Sequence, residues 1–151
     1  MTQTPATDPA AECNNLTLRK AARYLGATYD KALAPTGLRA TQFSILQKLS
    51  AHGETTITSL ADMTAMDRTT KASNLKPLAR DGLVTVEPSA SDRRARVVTI
   101  TEDGLSRTKT ALPLWREVQQ RFEERFGTEE AARLRALLDG VLGTGFEPWA
   151  E

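Results

Sequence analysis

Apolar residues recur at intervals of three and four along most of the chain and switch to strict alternation in one place only. Leu18, Ala22, Leu25, Tyr29 and Leu33 form one stripe, which predicts an amphipathic helix over residues 14–33, stopped by Pro35 and Gly37. Phe43, Ile45, Leu46 and Leu49 predict a second helix, with Thr41 as its cap and Gly53 at its end. Ile57 is an isolated β-branched residue placed to add a short strand, and Thr58 is expected to cap a short helix bearing Leu60, Ala61 and Met63. Asp67 is expected to cap a longer helix in which Ala72, Leu75, Leu78, Ala79 and Leu83 share an arc. That arc leaves Thr70, Ser73, Asn74, Pro77 and Arg80 facing the other way, with Lys71 and Lys76 at the flanks. Then LVTVE (83–87) and ARVVTIT (95–101) alternate and carry β-branched residues, so they read as two strands joined by the turn-forming PSASDRR. Helical spacing returns with Thr101-Glu102-Asp103 opening a helix that carries Leu105, Leu112, Trp115, Val118, Phe122 and Phe126. Thr128-Glu129-Glu130 opens another, with Leu134, Leu137, Leu138, Val141 and Leu142 expected inward. The tail from Gly143 is expected to be irregular, with Phe146 and Trp149 available to pack on a neighbour.

Two helices, a turn-linked hairpin and long flanking helices define a fold class that is mainly α with a small β-hairpin wing (α+β). It is a winged helix-turn-helix over residues 39–101, flanked by terminal helices over 13–36 and 102–145. Residues 13–151 are expected to be a single domain, with a tail over 146–151. The flanking helices carry more apolar residues than one small winged-helix core can absorb, so they are expected to be dimerisation helices. Residues 1–12 lack the basic start and apolar block of a signal peptide and are expected to be a disordered arm of a cytoplasmic protein.

Net charge is only +1 over 151 residues, but its distribution is uneven. Between Arg68 and Arg96 seven basic residues face Asp81, Glu87 and Asp92, a local excess of +4 on the element that would meet phosphates. Catalytic chemistry finds no support. A single His and a single Cys leave no nucleophile with a base, no metal-ligand cluster and no Gly-rich phosphate cradle, so neither metal nor cofactor is expected. One cysteine allows no internal disulfide, and no apolar run reaches membrane-spanning length, so no membrane partner is expected. His52, before Gly53 at a helix end, reads as a capping residue.

The run DRTTKASNLKPLARDGLV followed by SDRRARVVTITEDG resembles the MarR family of bacterial transcriptional regulators. The matches are Asp67-Arg68-Thr69-Thr70, Leu75-Lys76-Pro77-Leu78 and Gly82-Leu83-Val84, then Asp92, Arg94, Ile100-Thr101 and Gly104. Tyr29-Asp30, Gly37-Leu38 and Thr41-Gln42-Phe43 extend them upstream, while Lys71-Ala72-Ser73 replaces the Leu, Thr and Arg of many relatives. The resemblance implies a homodimeric, sequence-specific binder of double-stranded DNA, a repressor on a pseudo-palindromic operator with half-sites roughly 34–36 Å apart. Arg68, Thr69, Thr70, Lys71, Ser73, Asn74 and Lys76 would then be the recognition-helix contacts, the short side chains reading bases and Thr69, Lys71 and Lys76 holding phosphates. Arg94 would enter the minor groove from the wing, flanked by Arg93 and Arg96, with Asp92 either holding the turn or pairing with a neighbouring arginine. The resemblance also implies release by a small aromatic or phenolic acid, for which Arg19, Arg23, Tyr24, Tyr29 and Trp115 are candidate contacts. Two alternatives stand beside it. Cys13, at the start of the first helix, would make the protein a redox-sensing regulator. A basic winged helix can also serve as a protein-interaction module without sequence-specific DNA binding.

Overall fold

The computed structural model describes Ala11, residues 13–64 and residues 68–146, with the backbone alone over residues 68–72. The rest of the expected disordered arm, the Asp67 cap and Trp149 lie outside them. Among the described residues the order is α1 (Asn14–Leu33), a 3-10 turn (Ala34–Thr36), α2 (Ala40–His52), β1 (Thr55–Thr56), α3 (Ile57–Thr64), α4 (Arg68–Arg80), β2 (Val84–Pro88), β3 (Arg96–Ile100), α5 (Glu102–Phe126) and α6 (Thr128–Leu142). Packing divides the chain into two units, the first running to Trp115 and the second beginning at Arg116. No described helix is long and apolar enough to cross a membrane.

The expected elements form, but two of their caps come from elsewhere. Helix α2 starts at Ala40, one residue ahead of Thr41. Its first amides are met by the Asp30 carboxylate, which accepts from Ala40 N–H at 2.7 Å, and by Gln42 Oε1, which accepts from Arg39 N–H at 3.0 Å. Thr41 is therefore not the cap; its hydroxyl donates instead to Asn74 Oδ1 at 3.3 Å. Helix α3 is capped by Thr56, whose Oγ1 accepts from Ser59 N–H at 3.1 Å, and not by Thr58. Ile57 opens that helix, while the short strand forms from Thr55 and Thr56 just before it.

The first unit is organised around a core of Phe43, Ile45, Leu46, Leu49, Leu60, Leu75, Leu78, Leu83, Val84 and Val98, all buried. Trp115 of α5 packs on it, its ring 6.2 Å from that of Phe43. The sheet order is β1-β3-β2, fully antiparallel, with Val84 opposite Ile100, Val86 opposite Val98 and Pro88 opposite Arg96. Val98 sits at the centre, also opposite Thr55, and is completely buried. Ala79 shares the apolar arc of α4 but is exposed, because Leu78 and Leu83 fill the core at that end.

Two apolar stripes stay largely uncovered in the single chain, on helices already expected to carry more apolar residues than one core absorbs: periodicity marks a face as apolar without saying what covers it. Of the α1 stripe only Leu33 is buried, and Leu18 is 38% exposed. In the second unit Val118 and Ala131 are buried, Phe122 stacks on Phe126 at 5.2 Å, and Arg135 pairs with Glu123 at 3.0 Å. The expected inward residues Leu137 and Leu142 are nevertheless 69% and 76% exposed, and Val141 is exposed too.

One junction fixes where the wing leaves the core. The hydroxyl of Thr101, after β3, donates to Gly82 O at 2.6 Å and accepts from Gly104 N–H at 3.1 Å, capping α5 as the sequence predicts. Thr101 N–H also donates to Leu83 O at 3.1 Å. Gly104 lies so close that an added Cβ would overlap Leu83 O and stand 2.7 Å from Ile100 Cγ1. Gly104→Ala is therefore expected to destabilise the fold by about 2 kcal/mol despite the better helix propensity of alanine, lowering the melting temperature by roughly 4–8 °C. Melting at or above the wild-type temperature would show that the helix shifts freely at this point.

Candidate nucleic-acid interface

The first turn of α4 places Arg68, Thr69, Thr70 and Lys71 in helical backbone, and their side chains lie outside the description. Further along, Ser73 and Lys76 are exposed on the side away from the core, as the wheel predicts. Asn74 differs. It is half-buried, and its amide oxygen accepts from Thr41, so it sits in the seam between α2 and α4. Adenine recognition by an asparagine uses both ends of the amide, and here one end already has a protein partner. Arg80, at the last turn, touches Asp81 at 3.3 Å with both side chains largely in solvent.

The hairpin tip is closed by its own short polar side chains. Ser89 N–H donates to Ala95 O at 2.8 Å and Ala95 N–H to Asp92 O at 3.0 Å. Ser91 N–H donates to Ser89 Oγ at 3.3 Å. Asp92 Oδ1 accepts from Arg94 N–H at 2.9 Å, an Asx turn. Of the two roles open to Asp92, the structure places it in the turn, and no ion pair joins it to an arginine among the described residues. Arg93, Arg94 and Arg96 are all exposed and likewise have no acidic partner among the described residues. The hairpin thus presents guanidinium groups to solvent on a backbone that the Asp92 carboxylate at its tip holds in a turn.

Four of the candidate effector residues belong to α1 and the fifth, Trp115, to α5. Arg19, Arg23 and Tyr24 are exposed along α1, Tyr24 at 72%, while Tyr29 is half-buried and Trp115 packs on Phe43. None of the five lines either of two hollows in the first unit. One, of about 420 Å³, lies between the end of α2 and the start of α5 and is lined by Lys48, His52, Lys109, Thr108, Leu105 and Leu112. Lys48 and Lys109 escaped the sequence reading, and His52 was read there only as a helix cap, although Lys48 and His52 stand one helical turn apart. The second, of about 650 Å³, lies among the 35–37 turn, the turn after α4 and the start of α5. His52 is exposed, and the end of α2 is closed by Gly53 N–H donating to Leu49 O at 2.9 Å. Cys13 is exposed at the α1 N-cap, its Sγ accepting from Leu16 N–H at 3.4 Å.

This geometry has known counterparts. A model of the MarR family matches residues 38–95, the stretch from the start of the α2 turn to the wing tip. A crystal structure of the M. tuberculosis transcriptional regulator MosR in complex with DNA is 36% identical, with a TM-score of 0.76 over 89% of this chain and 99% of that one. The chain belongs to the MarR family. Members are transcriptional regulators that bind DNA and are not enzymes. The transcriptional repressor NicR of Pseudomonas putida is 29% identical over 103 residues, which span 68% of this chain and 65% of NicR. The transcriptional repressor CouR, solved bound to a 23-mer DNA duplex, is 25% identical, with a TM-score of 0.77 over 87% of this chain and 94% of that one.

Because Asp92 acts on the wing backbone, its charge and its acceptor separate experimentally. Asp92→Ala is expected to speed hydrogen exchange at the Arg94 amide by about fivefold, the loss of roughly 1 kcal/mol of hydrogen bonding, while Asp92→Asn keeps the protection. Equal exchange in the two variants would remove the turn role.

Proposed function

We propose that this MarR-family regulator acts as a homodimeric repressor of transcription on a pseudo-palindromic operator. Recognition helix α4 enters the major groove with Arg68, Thr69, Thr70, Lys71 and Ser73 leading, and Lys76 holds a phosphate at its flank. Asn74 contributes chiefly through its bond to Thr41, which keeps α4 seated on α2. The observation that carries the reading is the wing: Arg93, Arg94 and Arg96 exposed, without acidic partners among the described residues, on a hairpin tightened by Asp92. Arg94 enters the minor groove and its neighbours meet the flanking phosphates. The likeness to MosR and CouR, both solved with DNA, supports the same mode of engagement.

The apolar faces of α1 and α6 support the dimer. Leu16 and Leu18 on α1, and Leu137, Val141 and Leu142 on α6, are exposed in the single chain, apolar faces that a second copy would cover. Two-fold symmetry then sets the two recognition helices roughly 34–36 Å apart, one turn of duplex. An organic acid effector fits the hollow between α2 and α5 better than the α1 residues, because Lys48, His52 and Lys109 line it beside the apolar Leu105 and Leu112.

Titration of a palindromic fragment from the regulated promoter, against excess random DNA, tests the central reading. Specific binding is expected to exceed non-specific binding by about a thousandfold or more. Salt-sensitive binding with no sequence preference would favour the protein-interaction module instead. Arg94→Ala is expected to weaken operator binding and to reduce the slope of log affinity against log salt by about one unit per wing. An unchanged slope would remove the wing from the complex.

A further inference from the structure

The second hollow of the first unit, about 650 Å³, differs in chemistry from the basic one beside α2. Three segments enclose it: the 35–37 turn, the turn between α4 and β2, and the start of α5. Its charged lining is mixed, with Arg107 on one hand and Asp81 and Asp103 on the other, alongside the hydroxyls of Ser106 and Thr110 and the buried side chain of Leu83.

Arg107 is half-buried and committed in one direction only: its Nη1 donates to Thr36 O at 2.8 Å. No carboxylate pairs with it among the described residues, although Asp103 stands one turn earlier on the same helix, the spacing at which such pairs ordinarily form. Arg107 bonds the Thr36 carbonyl and not Asp103, so opposite charges line the same space without a direct ion pair between them. Among the described residues the Asp81 side chain meets only Arg80, in a surface contact.

A lone anion in this hollow would meet two carboxylates, and a lone cation would meet a guanidinium. A molecule carrying both charges satisfies both sides. The planar fork of an arginine suits a carboxylate, and paired carboxylates suit an ammonium group. We propose that this hollow binds a small zwitterion of the α-amino acid type, its carboxylate on Arg107, its ammonium toward Asp81 and Asp103, and its side chain against Leu83. The site joins the turn that ends the recognition helix to the helix leaving the wing, and the inference does not depend on how the protein engages DNA.

Calorimetry and thermal-shift measurements on the full chain with each of the common amino acids test it directly. At least one amino acid is expected to bind. Its carboxylic-acid analogue without the amine, and its amine analogue without the carboxylate, should each bind at least about tenfold more weakly, because each leaves a charged group of the site unpaired. Asp103→Asn and Asp81→Asn alter exposed carboxylates that leave the core intact, and each is expected to weaken binding about five- to tenfold. Lys48→Ala, in the other hollow, should leave it unchanged. The proposal is overturned if no amino acid binds at about 10 mM, a very weak affinity. It is overturned equally if an analogue lacking one charge binds as well as the parent, or if both aspartate variants bind normally.

Discussion

At the end of β3 the Thr101 hydroxyl donates to the carbonyl of Gly82 and accepts from the amide of Gly104, while its own amide reaches Leu83 O. Three segments that need not have met are thereby fixed together: the exit of the recognition helix, the last strand of the wing and the first turn of α5. Each such bond is worth only about 1 kcal/mol net. What makes the junction a constraint is steric. With no side chain at position 104, the first turn of α5 settles against Leu83 O and Ile100, and nothing larger than hydrogen fits there. The wing and the recognition helix therefore leave the core at a set angle to α5, and a movement of one has to be taken up by the other two.

The wing depends on that setting because its chemistry is otherwise local. Unpaired arginines on an exposed hairpin are common, and surface charges separated by more than about 8–10 Å scarcely feel each other at physiological salt. What distinguishes this hairpin is how the carboxylate at its tip is used. An Asp92 paired with Arg94 through its side chain would cancel part of the charge; bound to the Arg94 amide instead, it stiffens the tip and leaves the guanidinium available. The local excess of +4 over Arg68–Arg96 is shared between α4 and this hairpin, in a chain whose net charge is +1.

Which features were legible in the sequence follows from how local their causes are. The helices, the hairpin and the Thr101 cap rest on neighbours within a few residues, and they appear as expected. The α2 cap was misplaced because its acceptor is Asp30, ten residues away in sequence, on another helix. The wheel puts Asn74 opposite the apolar arc, among the base-reading candidates; only the fold reveals Thr41 against it. The wing arginines were legible because turn chemistry and charge coincide in a single short run. The two hollows were not. Each is assembled from segments far apart in the chain, such as residues 35–37, 81–83 and 103–110, and no spacing in the sequence brings those residues together.

The two units also differ in how far a single chain satisfies them. In the first, aromatic and aliphatic side chains from α2, α3, α4 and the sheet close a core in which Ile45, Leu46, Leu49, Leu60 and Val98 are wholly buried. In the second, the only described residues that are buried are Val118 and Ala131, with Phe122, Leu134 and Leu138 half-buried, while Leu137, Val141 and Leu142 remain in water. Burying a leucine stabilises by about 1.5–3 kcal/mol, comparable to a sizeable fraction of the net stability of a domain. On the dimeric reading, that contribution arrives only when a second copy does. The DNA-reading unit then holds its shape from internal packing, whereas the spacing between two such units depends on protomer concentration and on whatever binds the assembled form. A regulator built this way can lose operator affinity without any change in the wing or the recognition helix, through the assembly alone.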